Sequence, residues 1–323
     1  MAGIEQIPDA GGGRSGYPPL LVIVGPTAVG KTDFSLEVAS EHPAEIVSAD
    51  SRLVYRGLDI GTDKPSMAVR EQVPHHLIDI CQPDERLSLG QYQRLAYFAI
   101  ADIQRRGRLP ILVGGTGQYV HAVVEGWNIP AVPPNDKLRR ALSKKGQTEL
   151  ARWLKILDPA SAERIDFRNI RRVVRALEIT LTTGLPASAQ RRKKDPELDI
   201  MQIGLAANRE QLHARVDIRV NSMIGRGLLE EVKALRDQGY ERHLSSMSGL
   251  GYRQLYAYLD GELTLEEAVE RIKFESHRFI RQQANWFRQD DTAINWFEVT
   301  QPGWQGRAIN AIGEWLGASY ASV

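Results

Sequence analysis

The chain has 323 residues, of which 42% are hydrophobic, and its 41 basic and 40 acidic side chains nearly cancel. This length is typical of about two globular domains. Because the charges balance, the protein as a whole does not attract nucleic acid electrostatically. Any binding site for nucleic acid must therefore come from local clusters of basic residues. The one cysteine, Cys81, excludes an intrachain disulfide and a zinc site built on several cysteines.

The N-terminus is rich in glycine, and we expect residues 1–18 to form a flexible tail. No run of about 18 apolar residues occurs, so the sequence predicts no membrane-spanning segment and no membrane partner. Together with the single cysteine, this favours a cytoplasmic protein. We expect a monomer.

The segment Gly25–Thr32 reads GPTAVGKT and directly follows the apolar run Leu20–Val24. This pattern predicts a phosphate-binding loop, because its glycines let successive N–H groups converge on an anion at the start of a helix. The lysine would reach the terminal phosphates, and the hydroxyl of Thr32 would ligate Mg²⁺. The expected phosphate-binding residues are Gly25, Pro26, Thr27, Ala28, Val29, Gly30, Lys31 and Thr32. The ligand stays open, since nucleoside triphosphates and other diphosphates both fit, and the alternative is an incidental glycine-rich turn.

Further apolar runs predict strands, and helical periodicity separates most of them. Such strands are expected at Glu45–Ser48, Leu77–Ile80, Pro110–Val113 and Ile200–Leu205, and helices at 32–40, 88–106 and 209–238. This alternation is typical of a parallel sheet covered by helices on both faces. Between residues 126 and 199 strand patterns vanish and basic amphipathic segments follow. We therefore predict an α/β fold with a P-loop parallel-sheet core, residues 19–125 and 200–323, interrupted by an inserted helical domain, residues 126–199.

Two short segments follow predicted strands and are candidates for a site. Asp50 and Ser51 follow the second strand, where the carboxyl ends of parallel strands gather ligand-binding groups. This position is suited to a catalytic carboxylate, and Asp50 is the candidate. Its alternative role is to cap the next helix. Gly114–Gly117 follows another strand, and its small residues allow a ligand or a nucleic-acid backbone to approach closely, although an isolated glycine-rich turn is more often structural.

Basic residues cluster on three predicted helices. Those on the helix after Asn208 share one face, those in the insert are densest, and those on the last helix alternate with aromatics. These sets are Arg215, Arg219 and Arg226; Arg168, Arg171, Arg172 and Arg175; and Arg271, Lys273, Arg278, Arg281 and Arg288. Basic and aromatic residues together suit phosphate contacts and base stacking. Solvated arginines and core aromatics are the alternative. In the insert, some of the arginines could instead pair with Asp166 or Glu178 and hold the insert together.

Six segments in fixed order carry a family resemblance. They are GPTAVGKT at 25–32, SADSRLVYRGLDIGTDKP at 48–65, PHHLIDI at 74–80, LVGGTGQY at 112–119, RRVVRALEI at 171–179 and GLGYRQL at 249–255. Together they resemble the tRNA dimethylallyltransferase family in its bacterial form. The resemblance implies transfer of a dimethylallyl group from dimethylallyl diphosphate to N6 of the adenosine 3′-adjacent to the anticodon, in tRNAs that read codons beginning with U.

The resemblance also implies roles for individual residues. Asp50 matches the catalytic aspartate that accepts the proton of the amine. Arg219, Lys31, Thr32 and Mg²⁺ are expected to stabilise the leaving diphosphate. The positions that match tRNA contacts are Asp50, Ser51, Arg52, Leu53, Thr116, Arg171, Arg172, Arg175 and Arg281, which would bind the anticodon stem-loop. Departures from the family pattern occur at Leu53, Asp63, His277, Gln282 and Asn285.

Two other functions compete. A small-molecule kinase would use the same loop for ATP but would not require the basic insert. A non-enzymatic RNA-binding protein would leave the phosphate-binding loop and Asp50 unexplained.

Overall fold

The computed structural model describes residues 16–190 and 192–320, so residues 1–15 of the expected tail lie outside the described residues. Residues 16–18 are exposed. The chain divides into two compact units, one formed by the residues up to Val124 together with those from Glu197 onward, and the other by Glu125–Pro196. The second unit differs by one to three residues at each end from the insert expected at 126–199. No helix among the described residues is both long and apolar enough to span a bilayer.

A parallel six-stranded sheet forms the centre of the first unit. Its strands are β1 (Pro19–Val24), β2 (Ala44–Ser48), β3 (His75–His76), β4 (Leu109–Val113), β5 (Asp199–Ala206) and β6 (Asn295–Glu298). They lie in the order β3-β2-β4-β1-β5-β6, with every neighbouring pair parallel. This confirms the predicted α/β fold with a parallel sheet.

Helices cover both faces of the sheet. In the first unit they are α1 (Lys31–Glu41), α2 (Met67–Gln72), α3 (Leu89–Arg105), α4 (Gly117–Val124), α10 (Arg209–Gly225), α11 (Leu228–Asp237), α12 (Tyr252–Leu259), α13 (Leu265–Ala284) and α14 (Trp304–Tyr320). Alternate residues of β1 belong to different cores, with Leu21 and Ile23 in one and Leu20 and Val22 in the other. All four are fully buried, as expected for a strand covered on both sides.

Two local predictions differ from the structure, and one strand was missed. Residues 77–80 are not a strand, because Leu77 and Asp79 adopt φ of +64° and +57°, which the extended backbone cannot accommodate. The helix expected at 209–238 is broken between α10 and α11 at Gly227, whose φ is +98°. The edge strand β6 was not predicted.

Among the described residues of the second unit, the regular secondary structure consists of helices, together with one bridge between Trp127 and Lys193. Its helices are α5 (Asp136–Ser143), α6 (Gln147–Leu157), α7 (Pro159–Arg164), α8 (Ile170–Thr183) and α9 (Ala187–Gln190). Apolar residues of α6 and α8 form its core. The unit thus has a hydrophobic core of its own.

Glu178 is a fully buried acid in the second unit. Its carboxylate accepts hydrogen bonds from the Asn135 N–H at 2.7 Å, from Arg139 at 2.8 Å and from Arg175 at 2.6 Å. Burial raises the pKa of Glu178, but these bonds outweigh it and hold the pKa below its ordinary value of 4.5. A network of this kind stabilises only while the acid is ionised.

We expect Glu178→Ala to lower the free energy of unfolding of this unit by about 2 to 3 kcal/mol, because it leaves the Asn135 N–H and the half-buried Arg139 and Arg175 without their shared acceptor. Since the folded pKa is depressed, the stabilisation is present above pH 4.5 and is lost as the pH falls through the folded pKa. Denaturant titration followed by circular dichroism at pH 7 and pH 4 measures both effects. Exposed Glu163 provides the matched control, and equal midpoints for Glu178→Ala and Glu163→Ala would contradict the prediction.

Candidate active site

The phosphate-binding loop between β1 and α1 has a shape that depends on glycine. Gly25 and Gly30 have φ of +147° and +104°, a region that favours residues without a Cβ. A Cβ on Gly25 would also lie 2.5 Å from the carbonyl oxygen of Leu205. Within residues 16–190 and 192–320 no acceptor is found for the N–H groups of residues 28–32. Five free donors in succession at a helix N-terminus are suited to an anion.

Lys31 is folded back onto this loop. Its ammonium donates to the carbonyl oxygens of Gly25 at 3.0 Å and Pro26 at 2.7 Å. Burial lowers the pKa of Lys31 to about 8, the negative charge of Asp50 opposes this, and the positive charge of Arg219 adds to it. Lys31 therefore lies in the electrostatic field of both predicted catalytic side chains.

Helix α10 directs two arginines at the same loop. Arg219 donates to the hydroxyl of Thr27 at 3.3 Å, and Arg215 approaches the carbonyl oxygen of Val29 at 3.5 Å. Asp63 holds Arg219 from the other side, with 3.4 Å between its carboxylate and the Arg219 Nε. The structure thus places Arg219 against the phosphate-binding loop.

Arg226 does not reach the loop in the same way. It follows the end of α10 and forms an ion pair of 2.9 Å with Asp63. Asp63 thus pairs with both Arg219 and Arg226. Its φ of +52° lies in the left-handed region, which an aspartate tolerates better than most residues.

Asp50 lies just after β2 and is partly exposed. Its carboxylate accepts a hydrogen bond from the Arg52 N–H at 2.7 Å, as in an Asx turn. Residues 51–54 form a turn, so Asp50 does not cap a helix there. Its second carboxylate oxygen, Oδ2, accepts no hydrogen bond from the described residues, and the charge of Asp50 acts on Lys31.

The glycine-rich loop after β4 ties the loops of the neighbouring strands together. The Gly114 N–H donates to the carbonyl oxygen of Ile23 at 3.2 Å, and the Thr116 N–H to that of Ala49 at 3.2 Å. The Thr116 hydroxyl accepts the Ser51 N–H at 3.1 Å. A Cβ on Gly114 would lie 2.2 Å from the Ala49 oxygen, so the close contact requires glycine. These hydrogen bonds hold Thr116 beside Ser51, the residue that follows Asp50.

Two buried tyrosines support the end of β2. The rings of Tyr92 and Tyr119 stack with centroids 3.7 Å apart, and the Tyr92 hydroxyl donates to the Ser48 oxygen at 3.0 Å. Burial raises the pKa of both phenols, and the charge of Asp50 raises it further. Both stay neutral near Asp50. Sequence analysis missed Tyr119 as a site residue, although it lies in the LVGGTGQY segment.

The remaining residues of the first unit that are predicted to contact tRNA are Arg52, Leu53 and Arg281, and their surroundings differ. Arg52 donates to the carbonyl oxygens of Ser245 at 2.7 Å and Ser246 at 3.3 Å, so it anchors a distant loop. Leu53 is partly buried, whereas Arg281, in the last turn of α13, is exposed.

The arginines of the second unit divide into two kinds. Arg171 and Arg172 are exposed in the first turn of α8. Arg175 instead donates to buried Glu178 at 2.6 Å and to the Val132 oxygen at 3.0 Å. Arg175 therefore pairs with Glu178 in the folded unit, and its predicted contact with tRNA stays a prediction.

Among the residues that the structure describes, no three His, Cys, Asp or Glu side chains are grouped so that they could hold a metal ion. The exposed Thr32 offers a hydroxyl oxygen at the start of α1. Magnesium is commonly held by one or two protein oxygens together with substrate phosphates and water. Thr32 beside the free N–H groups fits a magnesium ion that binds with a phosphorylated ligand.

Comparison with known proteins identifies the family. A family model described as IPP transferase matches residues 53–290, and a second described as isopentenyl transferase matches residues 18–82. The chain belongs to the IPP transferase family. The resemblance inferred from the six sequence segments is thus confirmed.

Curated relatives of this IPP transferase are named tRNA dimethylallyltransferase. One from Roseiflexus castenholzii is 53% identical over 275 residues, covering 84% of this chain and 90% of the relative. Another from Thermomicrobium roseum is 48% identical over 290 residues, covering 88% of each. The similarity therefore extends over nearly the whole length of these proteins.

Solved structures of the family have the same fold. The tRNA isopentenylpyrophosphate transferase from Bacillus halodurans has a TM-score of 0.69 at 39% identity, with 94% of this chain and 97% of that chain covered. A eukaryotic dimethylallyltransferase acting on tRNA has a TM-score of 0.82 at 25% identity, with 93% and 80% covered.

We expect the affinity for inorganic diphosphate to fall as the pH rises above about 8, the pKa of Lys31. Below that pH the ammonium is charged and attracts the anion, and above it the neutral amine does not. Isothermal titration in the presence of Mg²⁺ between pH 7 and 9.5 measures this. The Lys31→Arg variant should show a flatter profile because its charge persists. A wild-type affinity that is constant over this range would contradict the prediction.

Proposed function

We propose that this IPP transferase moves a dimethylallyl group from dimethylallyl diphosphate to N6 of the adenosine 3′-adjacent to the anticodon, in tRNAs reading codons that begin with U. The observation that carries the proposal is the electrostatic grouping of Lys31 with Asp50 and Arg219 beside five free N–H groups. An anion site and a carboxylate lie together there, as transfer from a diphosphate to a weakly basic amine requires. The names of the relatives supply the donor and the tRNA acceptor.

The diphosphate would bind to the N–H groups of residues 28–32. Negative charge accumulates on it as the allylic C–O bond breaks, so cations placed there stabilise the transition state. Lys31 would turn from the Gly25 and Pro26 oxygens to the anion, and Arg219 is already held at Thr27. Mg²⁺, ligated by Thr32, would supply further positive charge to the leaving group.

Asp50 would take up the proton of the acceptor amine. The lone pair of N6 is delocalised into the purine, so the amine attacks poorly unless its proton is accepted as the N–C bond forms. In that step the C–O bond of the donor breaks, diphosphate leaves with the bonding pair, and the proton goes to the Asp50 carboxylate. The adenine must leave the anticodon-loop stack to react.

The tRNA anticodon stem-loop would be bound by exposed basic side chains and by the loops around Asp50. Arg171, Arg172 and Arg281 are exposed and suit phosphate contacts. Ser51 and Thr116 lie beside Asp50 and would contact the flipped nucleotide, with Arg52 and Leu53 shaping the same loop. We further propose that the enzyme acts as a monomer in the cytoplasm.

A labelling experiment tests this function against its alternatives. The protein is incubated with unmodified tRNA and either dimethylallyl diphosphate labelled in the allyl group or ATP labelled in the γ-phosphate. We expect the allyl label in tRNA at the adenosine next to the anticodon. Transfer of the phosphate label to a small molecule would instead support a kinase, and tRNA binding with no transfer of either label a non-enzymatic protein.

We expect Asp50→Asn to lower the rate of prenyl transfer by about 10²- to 10⁴-fold, the usual range for acid–base catalysis. The amide can still accept the Arg52 N–H but cannot take a proton. Single-turnover transfer and tRNA affinity are measured together. Exposed Asp237→Asn, at the end of α11, is the control. Loss of affinity with an unchanged single-turnover rate would show that Asp50 binds tRNA and is not the base.

We expect Arg171→Gln/Arg172→Gln to weaken tRNA binding and to reduce its salt dependence. Each lost phosphate contact should lower the slope of log affinity against log salt by about 0.7 to 0.9. Arg152→Gln, exposed on α6, is a control within the same unit. Arg175→Gln should chiefly lower the melting temperature, because it removes a partner of Glu178. An unchanged salt slope in the double variant would remove Arg171 and Arg172 from the tRNA interface.

A further inference from the structure

Gln283, in the last turn of α13, is almost completely buried, with 4% of its surface exposed. Its side-chain oxygen accepts the N–H of Thr27 at 2.8 Å. Its side-chain nitrogen donates to the carbonyl oxygen of Gly115 at 3.1 Å. One amide therefore joins the phosphate-binding loop to the glycine-rich loop after β4.

The two loops contribute to different parts of the proposed reaction, namely binding of the diphosphate and support of Asp50. Thr27 belongs to the loop that would hold the diphosphate, and its hydroxyl also receives Arg219. Gly115 precedes Thr116, whose hydroxyl accepts the Ser51 N–H next to Asp50. One chain of hydrogen bonds from the anion site to the proposed base thus passes through Gln283, in addition to the backbone bonds of Gly114 and Thr116.

Two glycines allow the close packing around this amide. A Cβ on Gly115 would lie 2.2 Å from the Gln283 side-chain nitrogen, so glycine is required for the contact. One turn further along the chain, Trp286 packs on Gly117, where a Cβ would lie 2.2 Å from the ring. The end of α13 is therefore docked tightly on the glycine-rich loop.

The chemistry of the contact selects an amide. Its partners are one N–H and one carbonyl oxygen, and only a group with a donor and an acceptor on the same carbon satisfies both. An ionised glutamate would place an oxygen against the Gly115 oxygen. A methionine of similar length would leave both backbone groups buried without a partner.

We propose that Gln283 is a positioning residue that fixes the phosphate-binding loop relative to Asp50 and so aligns the donor with the acceptor amine. This inference rests on the proposed function. Because misplacement by about 1 Å can cost about 10²-fold in rate, loss of this bridge should lower kcat with little effect on the KM for tRNA. Gln283 itself does not touch the substrates in this role.

Gln283→Glu and Gln283→Met test the proposal, with Gln305→Glu and Gln305→Met as matched controls on an exposed residue of α14. Single-turnover prenyl transfer at saturating donor and tRNA is measured from pH 5 to 9, together with the melting temperature. We expect both Gln283 variants to lose about 10²-fold in rate at pH 8, whereas the controls match the wild type. As the pH falls, Gln283→Glu should recover relative to the wild type, because a protonated carboxyl regains both a donor and an acceptor. Gln283→Met should not recover.

Two results would overturn the inference. One is a wild-type rate in both Gln283 variants at saturation. The other is a loss that follows the folded fraction alone, with a ratio of Gln283→Glu to wild type that does not change with pH. If instead the wild-type protein transfers no prenyl group, the proposed function fails, and the same data separate that outcome from failure of the Gln283 assignment.

Discussion

The parallel pairing of β2, β4 and β1 is the constraint on which the rest of the site depends. Because these three strands are adjacent and run in one direction, the loops that follow them meet at one edge of the sheet. Gly114 allows the loop after β4 to pack closely on the end of β2, since the Cβ of any other residue there would overlap with the backbone of Ala49. Asp50 and the phosphate-binding loop are brought together by backbone geometry.

Electrostatics at this edge favour an anion. Lys31, Arg215 and Arg219 all point to one short loop, in which the N–H groups of residues 28–32 have no acceptor in the described chain. In the structure, Lys31 donates to the loop's own oxygens and Arg219 contacts Asp63. In the proposed function, a diphosphate would replace these contacts with charge-assisted hydrogen bonds to its own oxygens. The negative charge of that diphosphate would also offset the repulsion between Lys31 and Arg219.

Local sequence patterns predicted the parts of the molecule that depend on neighbouring residues. The phosphate-binding loop, the strands β1, β2, β4 and β5, and the helical character of the insert follow from motif and periodicity. The segment 77–80 failed because its apolar pattern hides two left-handed residues, Leu77 and Asp79. Arg171 and Arg175 look alike in sequence, but only the fold shows that Arg175 faces buried Glu178. The contact between Gln283 and Thr27 spans 256 positions, so no local pattern could reveal it.

The most direct measurement is a crystal structure of the protein with Mg²⁺ and inorganic diphosphate. We predict that the diphosphate binds to the N–H groups of residues 28–32, that Lys31 leaves the Gly25 and Pro26 oxygens for the anion, and that Thr32 ligates the metal. Arg219 should contact the diphosphate while Gln283 keeps its bonds to Thr27 and Gly115. Diphosphate bound elsewhere, or bound at the loop with Lys31 still on the Gly25 and Pro26 oxygens, would contradict the placement of the active site.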